Sequence, residues 1–265
     1  MEEIGYKIDR NILKDYVKTI NTTRKNMIKI KEELKEINKK KEVSEEINTI
    51  NNMSLMIKEL LIKFPNKKRE ILTYVIRQIM QENNGMISTR MMEPLNISRQ
   101  YLLIMKNNHE IDRIARGIYL DKKSFEDSYF SFQQRYKKVI FSHMNALYFY
   151  NMTEEFPYNY TITVPQNYHV NTINKKCSVF YVANDIYEIG LTKVKSPNGN
   201  TIYTYDIERC ICDIIRSKNR MDPEQVKKTI KQYLKSKDKD LVKLATYAKK
   251  MGIETKVMMT IDNYQ

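Results

Sequence analysis

Apolar side chains in residues 1–64 recur at helical spacing. Leu13, Ile20, Met27 and Leu34 stand seven apart, and Tyr16, Thr23, Ile30 and Ile37 form a second row beside them. Two such rows make an a/d seam over about three and a half heptads, the lower limit for a coiled coil. The phase then breaks at the polar run Asn38-Lys39-Lys40-Lys41-Glu42, and Val43, Ile47, Ile50, Ser54, Ile57 and Leu61 begin a new seam. Ser44 followed by Glu45 and Glu46 has the character of a helix start, with a capping hydroxyl and acidic residues in the first turn. A helical hairpin, or a coiled coil broken near residue 40, satisfies this pattern. Such an arm serves either as a dimerisation or partner-docking element or as a helix pair packed on its own domain. The short run Lys39-Lys40-Lys41 reads as a solvated turn. Phe64-Pro65 closes the segment, because proline drives its predecessor out of the helical region.

From residue 67 to 120 the pattern changes period several times within a short span. Lys67–Asn83 is an amphipathic helix with Ile71, Leu72, Val75, Ile76, Ile79 and Met80 on one face. Gly85 suits the left-handed position after its C-terminus. Met86-Ile87-Ser88 is a short extended piece, and Ser88 or Thr89 would cap a second short helix that ends near Pro94. Asn96-Ile97-Ser98 is a turn, with Ser98 as N-cap of a third helix running to about Asn107. His109–Asp121 then reads as a hairpin, with a tight turn at Ala115-Arg116-Gly117. Helix, helix, turn, helix and a two-stranded wing is the order of a winged helix-turn-helix.

Residues 126–265 read as a mixed α/β domain. Val139–His143 leads into a helix over Met144–Asn151. Strands are predicted at Tyr160–Val164, Ser178–Val182, Glu188–Val194 and Thr201–Tyr205, with a β-turn at Pro197-Asn198-Gly199-Asn200. Helices follow over Ile207–Lys218, from Asp222-Pro223 to Lys235, and over Lys239–Met251. Asp222 as cap with Pro223 at the first helical position is well-formed start chemistry. Gly252 ends the last of these, and a short amphipathic tail lies beyond. The fold class expected is therefore α+β: a helical arm over 1–64, a winged helix-turn-helix over 65–125 and a C-terminal α/β domain over 126–265.

Composition narrows the function. The six glycines, at 5, 85, 117, 190, 199 and 252, are widely scattered. That excludes the glycine-clustered phosphate loops of Walker A and Rossmann sites. No apolar run approaches the length of a transmembrane helix, and MEEIGYKIDR lacks the apolar stretch of a signal peptide. Three cysteines, two of them as Cys210-x-Cys212, are too few for a disulfide framework. A reducing, cytoplasmic location is the expectation, without membrane partners. Lysine and arginine outnumber aspartate and glutamate 46 to 32, a net charge of +14. The excess is densest in 65–125, where 11 basic and 6 acidic residues leave +5 over the shortest segment. A polyanionic partner is implied.

The winged pattern assigns that charge to double-stranded DNA. The third helix of such a motif enters the major groove with its N-terminal residues nearest the bases. Here those are Ser98, Arg99, Gln100 and Tyr101. Arginine binds guanine O6/N7 with two hydrogen bonds, and glutamine binds adenine N6/N7 in the same way. The helix hides Leu102, Leu103 or Met105 and directs Lys106 toward a phosphate. Arg113 and Arg116 on the wing meet phosphate or the minor groove, and Arg90 at the start of the second helix reaches the flanking backbone. Winged helices also dock proteins, but the local charge and the polar start of the third helix favour DNA.

Four short motifs then occur in succession: Arg113-Ile114-Ala115-Arg116-Gly117-Ile118-Tyr119, Ser142-His143-Met144-Asn145-Ala146-Leu147-Tyr148, Thr161-Ile162-Thr163-Val164-Pro165 and Tyr205-Asp206-Ile207-Glu208-Arg209-Cys210-Ile211-Cys212-Asp213. In this order, over residues 68–262, they resemble the AbiEi-type antitoxins of bacterial abortive-infection (type IV) toxin–antitoxin systems, used in phage defence. Cys210 stands where threonine is common in that family, and the helical residues 1–64 depart from its compact pattern. The resemblance implies a transcriptional autorepressor that binds inverted repeats in its own promoter through the winged helix. It also implies a functional partner, a nucleotidyltransferase-type toxin, with direct contact left open, and a C-terminal domain that contributes to antitoxicity. Residues 1–64 would add a homodimer or partner surface. The alternative is an interaction protein that neutralises a partner through the arm without sequence-specific DNA binding.

Enzyme readings are weaker. His109, His143 and His169 lack the spacing of a zinc helix. Cys210 and Cys212 make a poor chelate and read as buried thiols. Asp238-x-Asp240 is explained by helix-start chemistry. Glu208, Arg209 and Asp213 form the most plausible polar cluster of the C-terminal domain, with Arg209 and Asp213 paired at i,i+4. No catalytic residue, metal or cofactor is expected.

Overall fold

Residues 44–153, 156–168 and 177–264 are described by the computed structural model. The predicted seam over Leu13–Ile37 and the break near residue 40 lie outside them. Contacts divide the chain into two compact units: the residues up to Ile71 with Pro94–Asn96, and Leu72–Glu93 with Ile97–Gln265. In the first, residues 44–63 form helix α1. It ends at Phe64, whose amide reaches Leu60 O at 2.9 Å, and Pro65 opens a single 3₁₀ turn, Pro65–Lys67. Of the seam in α1 Ile57 is buried, while Ile47 is 52% and Ile50 39% exposed. Leu55, Met56 and Ile62 are exposed as well.

Helix α2 (Lys68–Glu82) turns the predicted face inward, with Leu72, Val75, Ile76, Ile79 and Met80 buried. Each such side chain contributes about 1.5–3 kcal/mol. Its end is set by Asn84 and Gly85, both in the left-handed region at φ 50° and 82°. A Cβ on Gly85 would fall 2.0 Å from Ser124 Oγ, so this position needs glycine for space as well as for its backbone. Strand β1 (Met86–Ser88), helix α3 (Thr89–Met92), a 3₁₀ turn at Glu93–Leu95 and helix α4 (Gln100–Asn107) follow. Strands β2 (Ile111–Ala115) and β3 (Ile118–Asp121) make the predicted hairpin, with Gly117 at φ 74°. β1 pairs with β3, Met86 opposite Leu120, to give a three-stranded antiparallel sheet ordered β1-β3-β2. A register shift between Arg113 and Ala115 bulges β2 just before the turn.

The second sheet has five strands ordered β6-β5-β4-β8-β7. They are β4 (Ile140–Phe141), β5 (Tyr160–Pro165), β6 (Cys177–Val182), β7 (Leu191–Lys195) and β8 (Thr201–Tyr205). β4 runs parallel to β8 and antiparallel to β5, and β5 and β6 are parallel in register from Tyr160↔Cys177 to Pro165↔Val182. Helix α5 (Ser128–Arg135) precedes the sheet and was not foreseen. Its Tyr129 and Phe130 join Met86 and Ile118 of the small sheet to Phe141, Ile162 and Ile202 of the large one in a single core. Asp127 caps α5 through Phe130 N at 3.1 Å and accepts from Ser196 Oγ and Asn200 Nδ2 of the β7–β8 turn. The chain is thus mixed α+β, with two sheets among the described residues.

Helices α6 (His143–Phe149), α8 (Ile207–Arg216), α9 (Pro223–Lys235), α10 (Leu241–Lys250) and α11 (Glu254–Asp262) bury a second core around Cys210, Ile211, Ile214 and Ile230. Asp222 and Asp240 cap α9 and α10, each accepting an amide at 2.9 Å. The strand predicted from Glu188 starts instead at Leu191. A short helix α7 (Asn184–Tyr187) occupies the approach, and Gly190 at φ 73° turns the chain over Arg209, whose Cβ would lie 2.6 Å from any Cβ there.

Candidate nucleic-acid interface

Helix α4 presents its apolar positions unequally. Leu102 and Met105 are buried, while Leu103 is 42% exposed, so the third helix hides two of the three residues expected to face inward. Ser98 stands before the helix and accepts from Gln100 N at 3.3 Å, while Arg99 occupies the capping position in helical conformation. The expected Ser88 cap of α3 is different. Ser88 Oγ donates to Gln134 Oε1 at 2.6 Å and makes no capping bond, because α5 offers a competing acceptor.

A groove of about 890 Å³ opens beside α4. Arg99 and Leu103 line it from α4, Arg113 and Arg116 from the β2–β3 hairpin, and Thr89, Arg90 and Glu93 from around α3. The hairpin tip is held there by Thr89 N, which donates to Gly117 O at 2.9 Å. Four of the eight predicted contact residues, Arg90, Arg99, Arg113 and Arg116, therefore share one concave surface. Ser98, Gln100, Tyr101 and Lys106 do not line it. Ser98, Gln100 and Lys106 are exposed and Tyr101 is half-buried. Arg113 donates to Ala115 O at 3.3 Å across the bulge, and Arg90 Nη2 donates to Arg135 O at 3.3 Å. None of the four arginines has a carboxylate partner among the described residues.

Sequence reading missed Gln134, Arg135 and Tyr136, which complete the groove from the end of α5. No local spacing signals that they lie beside residue 90. Only the packing of α5 on both sheets brings them there.

The polar cluster of the C-terminal residues is buried. Arg209 Nε lies 3.1 Å from Asp213 Oδ2, and its Nη1 donates to the carbonyls of Ile186 at 2.6 Å and Ile189 at 2.7 Å. Its guanidinium also sits 4.2 Å from the centre of the Tyr205 ring. Burial opposes its charge, but Asp213 prevails and raises its pKa; burial also raises the pKa of Asp213, against the pull of Arg209. Arg209 Nη2 has no hydrogen-bond partner among the described residues. Glu208 and Asp206 both bind Lys243 Nζ, at 2.8 and 3.0 Å, and Asp206 caps α8 through Arg209 N. These bonds tie α8 to α10 and to the approach of β7.

His143 begins α6 at φ 49°, with Nδ1 2.9 Å from Ser142 Oγ and its ring stacked 3.6 Å from Phe180. Burial lowers its pKa well below the usual value, and Arg209, Arg216 and Arg220 add to this. The Cys210 and Cys212 thiols are buried, and burial pushes Cys212 up to about 12. Thiols held protonated in this way are inert. His109 is exposed at φ 59° just before β2. No helix among the described residues is long and apolar enough to cross a membrane.

No protein-family model matches the chain, and no curated protein does. Among solved structures it is similar to the RV2827C protein from Mycobacterium tuberculosis, at 8% identity and a TM-score of 0.39, over 72% of this chain and 80% of that one.

Proposed function

We propose that residues 68–121 form a winged helix-turn-helix that binds double-stranded DNA, with α4 as the reading helix and the β2–β3 hairpin as the wing. On this reading the protein is a repressor of its own operon and an antitoxin of the AbiEi type, counteracting a nucleotidyltransferase-type toxin. The observation that carries the DNA reading is the convergence of Arg90, Arg99, Arg113 and Arg116 on one groove without carboxylate partners among the described residues. Guanidiniums that keep their charge uncompensated and are concentrated on a concave face attract a phosphate chain. The sequence motifs over residues 68–262 support the antitoxin assignment.

The test is a binding titration on duplex DNA from upstream of the protein's own gene, repeated across salt concentrations. A protein that neutralises about six to ten phosphates loses about 10³–10⁵ in affinity between 50 and 200 mM salt. Arg99→Ala should relax base preference at one position, costing about 1–3 kcal/mol there, while Arg116→Ala should weaken all sequences alike. Absent or salt-insensitive binding would overturn the reading. A second reading, neutralisation of a partner through the arm, draws on the exposed Ile47, Leu55, Met56 and Ile62 of α1. It expects antitoxicity to survive when DNA binding is abolished and to be lost when residues 1–64 are removed.

A further inference from the structure

The groove is lined from two stretches of the chain, and the sequence pattern accounts for only one. Arg99, Arg113 and Arg116 belong to the winged pattern, whereas Arg135 and Tyr136 come from the end of α5, beyond it. Arg135 is exposed, and its guanidinium carbon lies 5.4 Å from the centre of the Tyr136 ring, a contact that restrains it without neutralising it. Its position relative to the winged residues is fixed at two points. Ser88 Oγ donates to the neighbouring Gln134, and Arg90 Nη2 donates to the carbonyl of Arg135 itself. Tyr129 and Phe130 of α5 are buried with Met86 and Ile118 of the small sheet, so the α5 side of the lining is held by core packing. Five arginines and one glutamate, Glu93, line this space.

A helix seated in the major groove is flanked by the sugar–phosphate strands on either side. Of the arginines that line the groove, those of the hairpin and of α5 suit such a strand, while Arg99 on α4 is the side chain that reads a base edge. We infer that Arg135 is a phosphate contact of the same DNA complex, so that the interface extends past the winged module onto α5. This rests on the DNA-binding reading above. Arg135 contributes affinity and register but no base preference, since phosphate contacts carry no sequence information.

The experiment compares wild type, Arg116→Ala, Arg135→Ala, Arg135→Gln and Arg135→Lys on promoter duplex and on random-sequence duplex of equal length. The readout is the slope of log K against log salt, with circular dichroism melts to show that each variant is folded. Removal of one phosphate contact should lower the slope by about 0.9. That loss is expected for Arg135→Ala and Arg135→Gln on both duplexes, with the ratio of promoter to random affinity unchanged and the slope restored by Arg135→Lys. If Arg116→Ala lowers the slope while the two neutral variants at 135 keep it at the wild-type value, the inference is wrong and the winged-helix reading stands. A loss that lysine fails to restore, or one that alters the promoter preference, also overturns it. If wild type itself shows no salt-dependent binding, the DNA reading fails, and the inference with it.

Discussion

Arg209 and His143 owe their properties to burial and to the groups that packing brings around them. Arg209 satisfies two carbonyls, from Ile186 and Ile189, and one carboxylate, Asp213, in a site from which water is excluded. Removing one partner of a buried pair leaves the other charge uncompensated. Arg209→Met is therefore expected to cost about 3–5 kcal/mol in urea denaturation. Arg209→Met combined with Asp213→Leu should cost less than the two singles added, and strict additivity would show that the pair is not coupled. His143 predicts a pH dependence. Burial and then the three arginines hold its folded pKa well below the ordinary value of about 6.5. As pH falls below about 6.5 the unfolded chain takes up a proton that the folded one refuses, so stability present above that pH is lost on acidification. His143→Gln lacks this component. Relative to wild type it should gain up to about 2 kcal/mol between pH 7.5 and pH 5, at 1.36 kcal/mol per pH unit. Urea midpoints at both pH values measure the gain, and parallel profiles for the two proteins would exclude it.

Turns and caps decide where elements begin and end, and some were legible while others were not. Asp222-Pro223 and Gly85 announce their roles through residue type alone, and both occur as read: Asp222 accepts from Gln225 N, and Gly85 lies at positive φ. Ser88 has the right residue type for a cap, yet its hydroxyl serves Gln134, a competitor that no local pattern contains. Helix α5 escaped notice because its buried Tyr129, Phe130, Ser131 and Gln133 mix polar and apolar side chains, so periodicity is weak. Two caps of the same type test how much tertiary context adds. Asp222→Ala removes an exposed cap and should cost about 1 kcal/mol. Asp127→Ala also leaves Ser196 Oγ and Asn200 Nδ2 without their buried acceptor, which adds about 1–3 kcal/mol for each. Equal losses in thermal or urea unfolding would mean that Asp127 acts only as a cap.

Across the whole molecule, the small sheet and the large one share a core through α5. Met86 and Ile118 are buried together with Tyr129, Phe130, Phe141 and Ile162, so a fragment ending at residue 125 would expose the inner face of the small sheet. Such a fragment is expected to unfold with a smaller urea dependence and less cooperatively than the full chain, because m scales with the area exposed. An independent, sharply cooperative transition in the fragment would show that α5 and the large sheet are dispensable to it. The same coupling is what brings Arg135 and Tyr136 to the arginine groove.

Residue type and periodicity were sufficient for α2, the β2–β3 hairpin, β8 and the Asp222 cap, since each depends on near neighbours in sequence, and a residue count located the charge maximum over 65–125. From that local information came also the four arginines of the groove. Spatial neighbours well separated in sequence set the rest: the position of Arg135 beside Arg90, the diversion of the Ser88 hydroxyl and the replacement of a strand start by Gly190 above Arg209. Hydrogen-bond competition and close packing act through space, and a linear pattern carries no record of them until the chain has folded.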